Sequence, residues 1–149
     1  MGLFDIFKKK PKFQDDLFGE LGYTTFKDSS KNFYEGSVIF QAQEIGICVD
    51  ADENGPSNLQ KDFFKRLDNE YDEIKNAIII PFLRKELEEY IENSGIDNFD
   101  KEFSFDGIHL GVFSGDDTEW SITYDSNPLK HYVSIDFEGM TPKYMTIDG

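Results

Sequence analysis

The chain has one cysteine, one tryptophan and two histidines in 149 residues, and no apolar run approaching the ~18–20 residues that a spanning helix needs. A single thiol, Cys48, excludes an internal disulfide framework and fits a reducing cytoplasm. Cations are also scarce, with 15 Lys and Arg against 30 Asp and Glu. Nucleic-acid binding needs clustered Lys and Arg to displace counterions, so that class is excluded. There is no glycine-rich phosphate loop and no activated-serine motif. Acidic pairs such as Glu88-Glu89 are too common in this chain to mark a glycosidase, which needs two carboxylates set across a cleft. The sequence therefore reads as a non-enzyme without a cofactor. A hydrolase built from Asp, Glu and His stands as a lesser alternative.

Aromatics and acid are what the chain does have. Fifteen Phe and seven Tyr supply bulk for one core, and a chain of this length buries roughly 70% of its unfolded surface. The net charge of −15 is uneven. Residues 1–13 hold four lysines and one aspartate, which leaves −18 on residues 14–149. A body so charged repels phosphate, attracts basic proteins and accelerates their encounter. The expected partner is a protein, and a basic one. Nothing in the sequence sets an oligomeric state.

"MGLFDIFKKKPKF" opens the chain. It has the wrong order of charge and apolar residues for a secretory signal, and Ile6 breaks the myristoylation pattern. Two roles remain: Leu3, Phe4, Phe7, Lys8, Lys9 and Lys10 as a peripheral membrane contact, or Phe4 and Phe7 packed on the chain's own domain. The second is the expectation here. Residues 1–13 are read as a basic amphipathic segment and 14–149 as one domain.

Within that domain "DDLFGELGYTTFKD", "KNFYEGSVIF" and "EIGICVDAD" read as a three-strand antiparallel meander over residues 17–51. In the third strand Ile45, Ile47 and Val49 share a face opposite Cys48, which is expected to be a buried strand thiol. Ser57 and Gln60 then form a capping box. Leu59, Phe63, Leu67, Tyr71, Ile74 and Ile78 recur at helical spacing. Helical composition runs over 57–93, and Pro81 predicts a kink or break at Ile80-Pro81. "IHLGVFSG", "EWSITYD" and "HYVSIDFEGM" read as three more strands, ahead of a short tail "KYMTIDG". The expected fold is α+β: an antiparallel sheet from two three-strand groups (βββ-αα-βββ), with a long kinked helix on one face.

"LFGELGY", "FYEGSVIFQAQEIGICVD", "DENGPSNLQKDFF" and the closing "WSITYD…HYVSIDFEGMTPKYMTIDG" resemble a group of small bacterial domains of unknown function. Some of those domains are linked with immunity to polymorphic toxins. The resemblance implies an inhibitor of a basic toxin and carries no catalytic residues with it.

Two constellations could hold an ion. "DADENG" matches the opening of a calcium loop through Asp50, Asp52 and Asn54, but the twelfth position is Lys61 where a bidentate Glu is required. The capping box accounts for the same stretch. Cys48 with His109 or His131 could form a Cys–His pair or part of a metal site, though no local signature joins them.

Overall fold

A computed structural model describes residues 11–90, 96–115 and 117–148. The candidate contacts Leu3, Phe4, Phe7, Lys8, Lys9 and Lys10 lie outside the described residues. Eight strands form one sheet in chain order: β1 (Lys12–Asp15), β2 (Gly19–Thr24), β3 (Phe33–Phe40), β4 (Gln43–Asp50), β5 (Phe103–Leu110), β6 (Glu119–Ser126), β7 (His131–Glu138) and β8 (Thr141–Asp148). Neighbours are antiparallel except β4 and β5, which run parallel. Between those two strands the chain forms α1 (Asn58–Asn69), α2 (Tyr71–Ile74), a π-turn (Lys75–Ile79), α3 (Ile80–Leu87) and the short α4 (Phe99–Glu102).

The expected α+β fold with two antiparallel three-strand groups is thereby overturned. The protein is a mostly-sheet fold with a single mixed sheet. Three local causes account for the difference. Asp15 accepts hydrogen bonds from the N–H groups of Leu17 and Phe18, both at 2.8 Å, and Gly19 adopts φ +74°. This Asx turn folds "DDLFGELGY" into a hairpin, so Lys12 and Phe13 join the sheet as part of β1. At the other end "TPKYMTID" pairs along β7 as a full edge strand instead of a tail. Finally, the helices carry the chain back to the starting end of β4, so β5 must enter beside it in the same direction.

The helices cover one face only. Ile45, Ile47 and Val49 of β4 are buried beneath them, as are Trp120, Ile122 and Tyr124 of β6 and Val133, Ile135 and Phe137 of β7. Phe64 of α1 packs edge-on against Phe18 and beside Phe40, and Tyr71 packs on Phe40 and Phe105. Each such buried side chain contributes roughly 1.5–3 kcal/mol.

The helical segment starts at the expected Ser57 cap but departs from the expected one within its length, and α3 ends at Leu87. Its interruption falls at Glu70, whose φ/ψ of −102°/10° separates α1 from a helical run over residues 71–87. Ile80 stays helical (φ −61°, ψ −48°), so the chain does not break at Ile80-Pro81. The π-turn ahead of it absorbs the proline: Ile80 donates its N–H to the carbonyl of Lys75, five residues back. That extra residue also resets the buried face, which passes from Ile74 to Ile79 and on to Leu83 and Leu87. Ile78 is left half-buried. At the start of α1, Leu59 is 58% exposed and Gln60 and Phe64 take the inward positions.

Gln60 is buried because every polar atom of its amide is used. Its Oε1 accepts from Ser57 N at 2.8 Å, completing the capping box, and its Nε2 donates to the carbonyls of Asp50 and Gly111 at 2.7 Å each. A helix start is thus tied to the ends of β4 and β5, beside the candidate site.

Candidate functional site

Among the described residues no element covers the face of the sheet away from the helices. Strand register assembles one row across it: Lys12, Gly22, Glu35, Cys48, His109, Ser121, Asp136 and Tyr144, one residue from each strand. The adjacent row is small and polar, running from Ser37 through Gly46, Gly107 and Thr123 to Ser134 and Thr146. Gly46 and Gly107 sit side by side at the parallel joint, where a Cβ on Gly107 would stand 3.1 Å from the Gly46 carbonyl oxygen. The middle of this face is therefore a shallow trough without large side chains.

Carboxylates dominate its exposed positions. Glu35, Glu44, Asp125, Asp136, Glu138 and Asp148 all alternate outward here. Among the described residues of these strands the outward lysines are Lys12 and Lys143, and Lys12 is already paired with Glu20 at 2.6 Å. At one end of the face a cleft of about 520 Å³ is lined by Asp50, His109, Glu119, Asp136, Glu138, Lys143 and Tyr144.

At the edge of that cleft Cys48, Asp50 and His109 come together, with one donor atom of each within 4.8 Å of the others. Cys48 and Asp50 are two residues apart on β4 and so share a face, while His109 stands opposite Cys48 on β5. His109 Nε2 lies 2.8 Å from Asp50 Oδ1. The Asp50 carboxylate, with Cys48 second, holds the imidazole's pKa up at about 10 against the opposing effect of burial. In the metal-free protein His109 is consequently an imidazolium at neutral pH. A thiol, a carboxylate and an imidazole on two adjacent strands can share a proton or hold a cation.

The sequence candidates separate here. Cys48 is half-buried on the open face, not sealed in the core as its strand setting suggests, and His109 is its neighbour. His131 begins β7 opposite Ser126 and takes no part in the cluster. Asp52 and Asn54 close a turn: Asp52 Oδ1 accepts from Asn54 N at 2.9 Å, and its carbonyl accepts from the Tyr34 hydroxyl at 2.7 Å and from Gly55 N at 3.1 Å. Burial holds the Tyr34 phenol at about 12, so it remains a donor. Asp50 points instead to His109, and Asp52 is not in its cluster. Cys48 with His109 was one of the two pairings left open by the sequence, whereas the open row was missed because it depends on the parallel joint. The alternation of Cys48 and Asp50 away from Ile47 and Val49 was the one available signal.

No protein-family model, curated protein or solved structure matches this chain. No helix among the described residues is long and apolar enough to cross a membrane.

Proposed function

We propose that this chain is a non-enzymatic binding module, acting in the cytoplasm, whose open sheet face receives a basic protein. The observation that carries this reading is the concentration of exposed carboxylates on the sheet face away from the helices, with few outward lysines among the described residues of its strands. An open antiparallel surface normally needs only polar residues to stay in water. This one is predominantly acidic, which steers a cationic partner and resists nucleic acid. The trough along Gly46 and Gly107 leaves room for a partner's side chains to approach the backbone. The resemblance to domains linked with toxin immunity supports the finer reading, in which the module inhibits a basic toxin by covering it.

Co-expression with any basic protein encoded beside its gene, followed by affinity capture and a salt series, tests this. A complex whose association rate falls steeply with ionic strength is expected. It should be lost in a variant carrying Asp136→Lys and Glu138→Lys. A partner that binds the variant as well as the wild type would place the interface elsewhere, and the absence of any basic partner would end the proposal.

A further inference from the structure

We propose that Cys48, Asp50 and His109 form a binding site for Zn²⁺. The three side chains bring a sulfur, an oxygen and a nitrogen donor within 4.8 Å of one another. Calcium and magnesium take oxygen ligands, whereas a thiolate with an imidazole selects a borderline or soft cation such as zinc. In a tetrahedral zinc site the metal–ligand bonds are about 2.3 Å to sulfur and about 2.0–2.2 Å to nitrogen and oxygen, so donors stand roughly 3.3–3.6 Å apart. The 2.8 Å between His109 and Asp50 would open by about half an ångström, and since all donors lie within 4.8 Å of one another no other spacing would close by more than about 1.5 Å. Side-chain torsions can supply both movements without moving the strands.

The strands hold the donors in place. Cys48 and Asp50 project from alternate positions of β4, a central strand, and His109 is fixed opposite Cys48 by the β4–β5 ladder. Gln60 anchors the Asp50 carbonyl from behind. The carboxylates of Glu119, Asp136 and Glu138 line the adjoining cleft and favour a cation there. Binding forms one bond to each donor, releases the thiol proton and the proton on the coordinating imidazole nitrogen to solvent, and changes no oxidation state. The thiolate and carboxylate together neutralise the ion, and three protein ligands leave a fourth position to water from the cleft, as in open zinc sites.

Cobalt titration of the reduced full-length chain tests the site. A sulfur-to-cobalt charge-transfer band and tetrahedral visible bands are expected, saturating at one equivalent and erased by one equivalent of Zn²⁺. Cys48→Ser should abolish the charge-transfer band, and His109→Gln and Asp50→Asn should each weaken cobalt binding at least about tenfold. Zn²⁺ should raise the melting temperature of the wild type and not of His109→Gln, which provides a readout even where a cysteine variant folds poorly. No charge-transfer band in the wild type overturns the proposal. So does a band of equal strength and affinity in His109→Gln and Asp50→Asn, since that would be a thiol acting alone. The result is independent of whether the acidic face binds a protein.

Discussion

The hydroxyl oxygens of Tyr71 and Tyr124 lie 2.7 Å apart, joining α2 to β6 inside the core. One donates and the other accepts, and burial pushes both phenols above their ordinary pKa. Removing either hydroxyl leaves the other buried without this partner, at a cost of about 1–3 kcal/mol. Tyr71→Phe and Tyr124→Phe should each destabilise by that order. The double variant should lose clearly less than the two added together. Additive losses in denaturant melts would show that the hydroxyls do not depend on each other.

Alpha-helix 1 presents Phe64 to the core and Leu59 to solvent, at 4% and 58% exposure. Phe64→Ala should therefore cost about 3–5 kcal/mol, whereas Leu59→Ala should stay within about 0.5 kcal/mol. Comparable losses at the two positions would put the helix in a different rotation.

The β3–β4 turn places two non-glycine residues in the left-handed region, Gln41 at φ 51° and Ala42 at φ 60°. Gln41 is secured there by Asp68, whose carboxylate accepts from its backbone N–H at 2.9 Å and from its side-chain amide at 2.7 Å. Ala42 has no side-chain bond with which to offset the strain. Ala42→Gly should raise stability by about 0.5–1 kcal/mol, because the gain in turn geometry exceeds the added freedom of the unfolded chain. A lower melting temperature would contradict the turn.

The raised pKa of His109, about 10, sets a pH dependence for the metal-free protein. The folded state holds a proton that the unfolded chain releases near its ordinary value of about 6.5. The resulting stabilisation is complete below that value and disappears as pH rises through about 10. In chelator-treated protein the His109 ring resonances should not titrate between about pH 6 and 8. Asp50→Asn, which removes the principal cause, should bring the titration down toward the ordinary range. A wild-type midpoint near the ordinary value would mean that the pair is not formed.

Much of the sheet was legible because one covered face imposes strict alternation: Trp120, Ile122 and Tyr124 face inward as their spacing requires, and so do Val133, Ile135 and Phe137. The capping box was equally legible, since Ser57 and Gln60 satisfy each other locally. Local pattern did not reveal the Asx turn at Asp15, which sits among residues that also suit a strand. Nor did it reveal the π-turn, because a shift of one residue in a run of isoleucines leaves either phase apolar. The neighbourhood of Cys48 and His109 depends on which strands meet after the helical crossover, and no residue beside either one records it.

The single parallel pairing divides the molecule along its middle. Strands β1–β4 come from residues 12–50 and β5–β8 from 103–148, and within each half every pairing is between consecutive strands. Such hairpins close short loops and form early, while the seam between them must await the return of the helices and the closure of a much longer loop. Cys48 and Asp50 stand on one bank of that seam and His109 on the other. The cluster is therefore a late product of folding, absent from either half alone. An ion held there would rivet the two halves across the slowest-forming joint of the sheet.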